Sequence, residues 1–186
     1  CSTKGDRRSA PTLAEWNWKN SKAQDIEGGS DIVYPALDKR WALLIATSTG
    51  WDNYRHQVDV LNIYQQLKAG GYDDDHIVLV IEDDLAYNDA NPEKGVLYSR
   101  MDGVNVYKDV KVDYHISDLK PNDVREILLG NRSDRLPSVI ESDEDDNIFV
   151  FWSGHGAPGY LGFGPFSYSR NNMESCLAAM DACLLY

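Results

Sequence analysis

The sequence predicts a doubly wound α/β fold, a mainly parallel sheet with helices on both faces, and three observations carry that prediction. Apolar runs without polar alternation occur at residues 41–48, 76–81 and 148–152, the pattern of strands buried on both faces of a sheet. Stretches with apolar residues at helical spacing separate these runs, and the strand, helix, strand order is that of a parallel sheet. Each run ends in turn residues, and in such sheets functional groups gather outside the carboxyl ends of the strands.

Taken in order, residues 1–30 are polar, carry Lys, Arg, Ser, Asp and Gly without sustained periodicity, and read as a tether from which Trp16 and Trp18 pack onto the body. Residues 31–186 read as the folded part. The first strand leads into the turn Thr49-Gly50-Trp51-Asp52-Asn53, after which Val60, Leu61, Tyr64 and Leu67 mark the inner face of a helix that Gly70-Gly71 ends. The second strand is followed by Glu82-Asp83-Asp84. From 85 to 119 turn signals dominate, with Asn91-Pro92, Glu93-Lys94-Gly95 and Asp102-Gly103 and a short alternating piece at 110–114. A segment of this kind lies over a functional edge or forms a surface insertion. Pro121 opens the next helix, Val124, Ile127 and Leu128 face inward, and Gly130 closes it. The acidic run 141–146 reads as a solvated loop and lacks the Gly and Glu spacing of a calcium loop. Residues 157–166 are rich in Gly, Pro and aromatics, and Met173, Cys176, Leu177, Met180 and Leu184 form a last amphipathic face.

Composition narrows the function classes. A chain of 186 residues with 42% hydrophobic content suits one soluble domain with a sizeable core. The 18 basic and 30 acidic residues leave a formal charge of -12, which repels phosphate backbones and argues against nucleic acid as a partner. The cysteines, Cys1, Cys176 and Cys183, do not form a disulfide framework, and the latter two read as small core residues of one helix. Cys1 ahead of a polar tether has two readings: the lipid-bearing first residue of a bacterial lipoprotein, or a cloning boundary. The first implies an extracytoplasmic protein attached to the membrane of a bacterial cell envelope.

The segment Phe149-Val150-Phe151-Trp152-Ser153-Gly154-His155-Gly156 presents a histidine at the end of the third strand. Its flanking glycines let backbone approach a substrate, so His155 can act as a base while the amide of Gly156 donates to a developing oxyanion. The bland alternative is a simple turn histidine. Asn53 follows the first strand and His155 the third, so a parallel sheet brings both to one edge.

Four segments together resemble the legumain family of cysteine peptidases, which includes the catalytic subunit of the GPI-anchor transamidase. They are Trp51-Asp52-Asn53-Tyr54-Arg55-His56-Gln57, Glu82-Asp83-Asp84-Leu85-Ala86-Tyr87-Asn88-Asp89-Ala90-Asn91-Pro92, Val112-Asp113-Tyr114 and Ser153-Gly154-His155-Gly156. The resemblance implies a caspase-like fold in which His155 is the base and acid partner of a cysteine nucleophile and Asn53 orients it. It implies that Arg55 and His56 line the pocket for the side chain before the cleaved bond, with Asn or Asp preferred. The implied substrate is a peptide or protein, and no cofactor and no metal are called for.

The resemblance also implies a nucleophilic cysteine at the end of one further strand. Glu174-Ser175-Cys176 imitates its context, but the polar stretch 167–172 before it does not read as a buried strand, so Cys176 is set aside. The expectation is therefore an N-terminal part of a caspase-like domain, incomplete at the C-terminus, whose partner is the missing C-terminal part of the same protein and which is inactive by itself. Two alternatives stay open: a non-catalytic remnant serving as a binding or scaffolding module, and a transamidase variant in which an amine replaces water. Gly154 stands where legumains often carry Asp.

Overall fold

In the computed structural model, which describes residues 39–100 and 103–183, the first apolar run forms the middle of the main sheet. Strand β1 (Arg40–Ala46) is buried at every position from Trp41 onward. It pairs in parallel with β2 (Ile77–Val80) on one side and β3 (Asn147–Ser153) on the other, giving the order β2-β1-β3. The registers run Ala42 to Ile77 and Arg40 to Asn147. Alternate side chains of β1 therefore supply two cores. Ala42, Leu44 and Ala46 pack with Val58, Val60, Leu61 and Tyr64 of helix α1 (Tyr54–Ala69). Trp41, Leu43 and Ile45 pack on the opposite face with Val124, Ile127 and Leu128 of helix α2 (Pro121–Leu128). Each fully buried Leu or Ile contributes about 1.5–3 kcal/mol, so β1 anchors both layers. The chain leaves β1 for β2, then crosses back past β1 to β3, which creates a switch point between the carboxyl ends of β1 and β3.

The irregular segment after β2 is tied down by side chains instead of strands. Buried Asn91 donates through Nδ2 to the carbonyls of Ala86 at 2.8 Å and Val96 at 3.1 Å, and its Oδ1 accepts from the Glu93 N–H at 3.1 Å. Gln65 of α1 donates to the carbonyls of Val106 and Lys108. The alternating piece at 110–114 forms no strand, but it reaches β2 through a bridge between Val80 and Tyr114 and through Asp113, whose N–H donates to the Leu79 carbonyl at 3.0 Å and whose Oδ2 accepts from the Leu79 N–H at 2.9 Å.

Three sequence expectations change. The third strand is not buried on both faces: β3 pairs with β1 alone among the described residues, and Phe149 and Val150 stay 41% and 40% exposed. Its continuous apolar pattern marks surface awaiting cover that the described residues do not provide. Asp146, within the acidic run, is not solvated: its side chain is 5% exposed and accepts from Trp41 Nε1 at 3.2 Å. After His155, β4 (Gly156–Ala157), β5 (Tyr160–Phe163) and β6 (Phe166–Ser169) form a small antiparallel sheet. Helix α3 (Arg170–Cys183) follows and turns Met173, Cys176 and Met180 toward the α2 side of the core, whereas Leu177 is 54% exposed and off that face. The tether with Cys1, Trp16 and Trp18, as well as Leu184, lies outside the described residues.

Candidate active site

The switch point is built by two turns. After β1 the chain passes through Thr47, Ser48 and Thr49 to Gly50, whose φ of 81° suits a residue without a side chain, and then into a 3-10 turn at Trp51–Asn53. Asn53 is held at both ends: its N–H donates to the Gly50 carbonyl at 3.0 Å and its Nδ2 donates to the Thr49 carbonyl at 2.8 Å. The second bond decides the amide's orientation, because only an NH2 group can donate to a carbonyl. Oδ1 consequently faces the other way, and there His155 Nε2 lies 2.7 Å from it.

That distance assigns the imidazole tautomer. An amide oxygen only accepts, so Nε2 carries the proton and Nδ1 keeps its lone pair. His155 is solvent-exposed, and the bare Nδ1 is the nitrogen available to take a proton from a reacting group. The loop that carries His155 packs directly on the end of β1. Thr47 N–H donates to the Ser153 carbonyl at 3.0 Å, and the Thr47 carbonyl accepts from Gly164 N–H at 3.0 Å. A Cβ at Gly154 would lie 2.0 Å from Thr47 Oγ1, so the hydroxyl occupies the space a side chain at 154 would need.

Gly156 begins β4. Gly162 N–H donates to the His155 carbonyl at 2.7 Å and Gly156 faces Leu161, so by antiparallel alternation the Gly156 N–H points away from β5. His56 is 6% exposed and meets the His155 ring edge to face, with centroids 4.8 Å apart and planes at 89°. Burial, followed by the charges of Arg55 and His155, holds the His56 imidazole below its ordinary pKa, and among the described residues its Nδ1 has no hydrogen-bond partner. Arg55 is exposed on the first turn of α1, where its Nη1 donates to the Asp52 carbonyl at 3.4 Å. Asn53, His155, His56 and Gly156 are thus brought to one rim, with Arg55 beside them. Cys176 is fully buried in α3 and its thiol is pushed up by burial, as suits a core residue. Sequence reasoning missed Thr47, and also Gln57 and Asp84, whose side chains meet beneath the turn that carries Asn53.

The sheet order, the helices on both faces and the histidine at the switch point define a caspase-like α/β protein. Residues 40–186 match the Peptidase C13 family, and the chain belongs to it. It is 43% identical over 154 residues to the legumain of Canavalia ensiformis, a stretch that covers 80% of this chain and 32% of that protein. It is 41% identical over 140 residues to a vacuolar-processing enzyme of Vicia sativa, covering 73% of this chain and 28% of the relative. The delta-isozyme of the vacuolar-processing enzyme from Arabidopsis thaliana is 40% identical over 129 residues, 68% of this chain and 28% of the relative. The chain spans about a third of the length of these curated relatives.

Proposed function

We propose that this chain carries the histidine side of a cysteine endopeptidase that cleaves peptide bonds after Asn or Asp. The observation behind the reading is the 2.7 Å bond from His155 Nε2 to Asn53 Oδ1, which leaves the lone pair on Nδ1 of a solvent-exposed imidazole. A thiol that passes its proton to Nδ1 becomes the thiolate nucleophile and attacks the scissile carbonyl. The imidazolium, steadied by Asn53, then returns that proton to the leaving amine, and water repeats the sequence to release the acyl product. The Gly156 N–H, directed away from β5, supplies a donor for the tetrahedral oxygen. Arg55 donates to the oxygen of the side chain preceding the cleaved bond, with His56 packed behind it.

The thiol arrives, on this reading, on a strand that adds to the outer edge of β3. The half-exposed Phe149 and Val150 support such an addition, since their rings and methyls otherwise face water. The names of the vacuolar-processing relatives favour a setting outside the cytosol. The test uses the full-length protein and a fluorogenic peptide containing Asn. Cleavage is expected, and His155→Ala should abolish it while circular dichroism shows the fold intact. Turnover retained in that variant refutes the mechanism.

A further inference from the structure

The geometry points to Asp84, together with Gln57, as the positioning unit that holds the Asn53 amide against His155. The inference rests on the reading of His155 as the base. Asp84 stands just past the carboxyl end of β2, and both of its carboxylate oxygens are spent on the segment that carries Asn53. Oδ2 accepts from Gly50 N–H at 2.6 Å, and Oδ1 accepts from Gln57 Nε2 at 2.6 Å. Gly50 opens the 3-10 turn and Gln57 lies on the first turn of α1, so the two bonds bracket Asn53 from either side. Gln57 is 1% exposed, and its Oε1 accepts from Asp83 N–H at 3.1 Å, which closes the clamp back onto the end of β2.

The backbone is shaped for this purpose. Asp83 has φ of 59°, a left-handed conformation that L residues other than Asn and Asp rarely adopt, and Asp84 follows directly with its carboxylate on Gly50 and Gln57. Asn88 Nδ2 donates to the Asp84 carbonyl at 3.1 Å and anchors the main chain there. A carboxylate is required at 84 because both groups facing it, an amide N–H and a side-chain NH2, are donors. An amide in that position would set one donor against another. Gly50 would then be free to shift, carrying Asn53 Oδ1 off the His155 Nε2 proton, and the imidazole would lose its tautomer bias.

The test has two independent readouts in the full-length protein. The first is nitrogen NMR of labelled histidine, with the His155 signals assigned by comparison with a His155→Gln variant. The wild type should show the Nε2–H form, and Asp84→Asn should move both ring nitrogens toward the averaged shifts of a free imidazole. The second is peptide cleavage, in which Asp84→Asn should lower kcat by roughly tenfold to a hundredfold and leave KM within about twofold, the signature of a mispositioned base and not of lost binding. Adding Gln57→Glu restores the pattern: the new amide accepts from Gly50 and donates to the new carboxylate, which still accepts from Asp83. The double variant should recover both the tautomer and most of kcat. If Asp84→Asn fails to fold, Gln57→Ala carries the same two expectations. Unchanged His155 shifts and unchanged kcat in whichever variant folds overturn the positioning role even if His155→Ala is inactive. A tautomer change in a protein that cleaves nothing upholds the clamp and refutes the peptidase reading instead.

Discussion

Replacing Gly154 with alanine tests how tightly the histidine loop is seated on the main sheet. The new Cβ would lie 2.0 Å from Thr47 Oγ1, shorter than any real non-bonded contact, but 3.4 Å from Thr47 Cβ and 3.7 Å from Ser48 Oγ, both ordinary. The clash is therefore with one oxygen. Thr47 is 2% exposed, and its main chain is bonded to Ser153 and to Gly164, so it cannot retreat. Its hydroxyl must rotate away from the Ser153 carbonyl, 3.5 Å distant, or the two strands must part. Over-packing of this kind costs ~1–3 kcal/mol. Gly154 does not have a positive φ, so the methyl meets no left-handed strain, and the clash opposes only the ~0.4–1 kcal/mol that a stiffer unfolded chain contributes. For a domain of this size, Gly154→Ala should lower Tm by roughly 2–4 °C per kcal/mol lost.

Thr47→Ala removes the oxygen and should itself cost about 1 kcal/mol or less, since the hydrogen bond it breaks is long. In that background Gly154→Ala should be nearly neutral. A double-mutant cycle by calorimetry or urea unfolding is expected to return a favourable coupling of ~1–2.5 kcal/mol. Simple additivity of the two substitutions would falsify the packing argument.

Three other outcomes are expected. Asn53→Ala removes the acceptor that the described residues offer His155 Nε2, and in the full-length protein kcat should fall by about a hundredfold with KM little changed; an unaltered kcat removes Asn53 from the mechanism. Arg55→Ala should erode the preference for Asn or Asp in a peptide panel while cleavage persists, and an unchanged profile takes Arg55 out of the pocket. Burial, Arg55 and His155 lower the His56 pKa from its usual 6.5, so the unfolded chain binds that proton more readily than the folded one. The stability it contributes is complete above about pH 6.5 and is lost as the pH falls through the lowered folded value. His56→Gln should flatten that part of the stability curve in urea titrations at stepped pH, and an unchanged slope refutes the assignment.

The parts of the fold legible in the sequence are those whose pattern has one physical cause. The run ending at Ala46 is apolar because both faces of β1 are buried, and the helical spacing of Val60, Leu61 and Tyr64 reflects a single inner face. β3 has the same apolar texture, yet it is half exposed, because hydrophobic composition records that a surface needs cover without recording what covers it. Asp146 was illegible for a different reason: its bond to Trp41 joins positions far apart in the chain, and a charged loop looks the same whether or not one carboxylate turns inward. The short strands β4 to β6 are written in Gly and aromatic residues with too few positions to show alternation. At the site, a parallel sheet with turns after its strands was enough to bring Asn53 and His155 to one edge. Gln57 carried no such signal, since a glutamine on a helix usually faces water and only the fold reveals that this one is buried.

The outer edge of β3 also bears on biosynthesis. Among the described residues nothing pairs with its backbone groups, and Phe149 and Val150 add apolar surface at the same place. Such an edge is a template for any extended chain nearby, including a second nascent copy. A cognate strand paired along this edge would satisfy those backbone groups and cover Phe149 and Val150 in a single step.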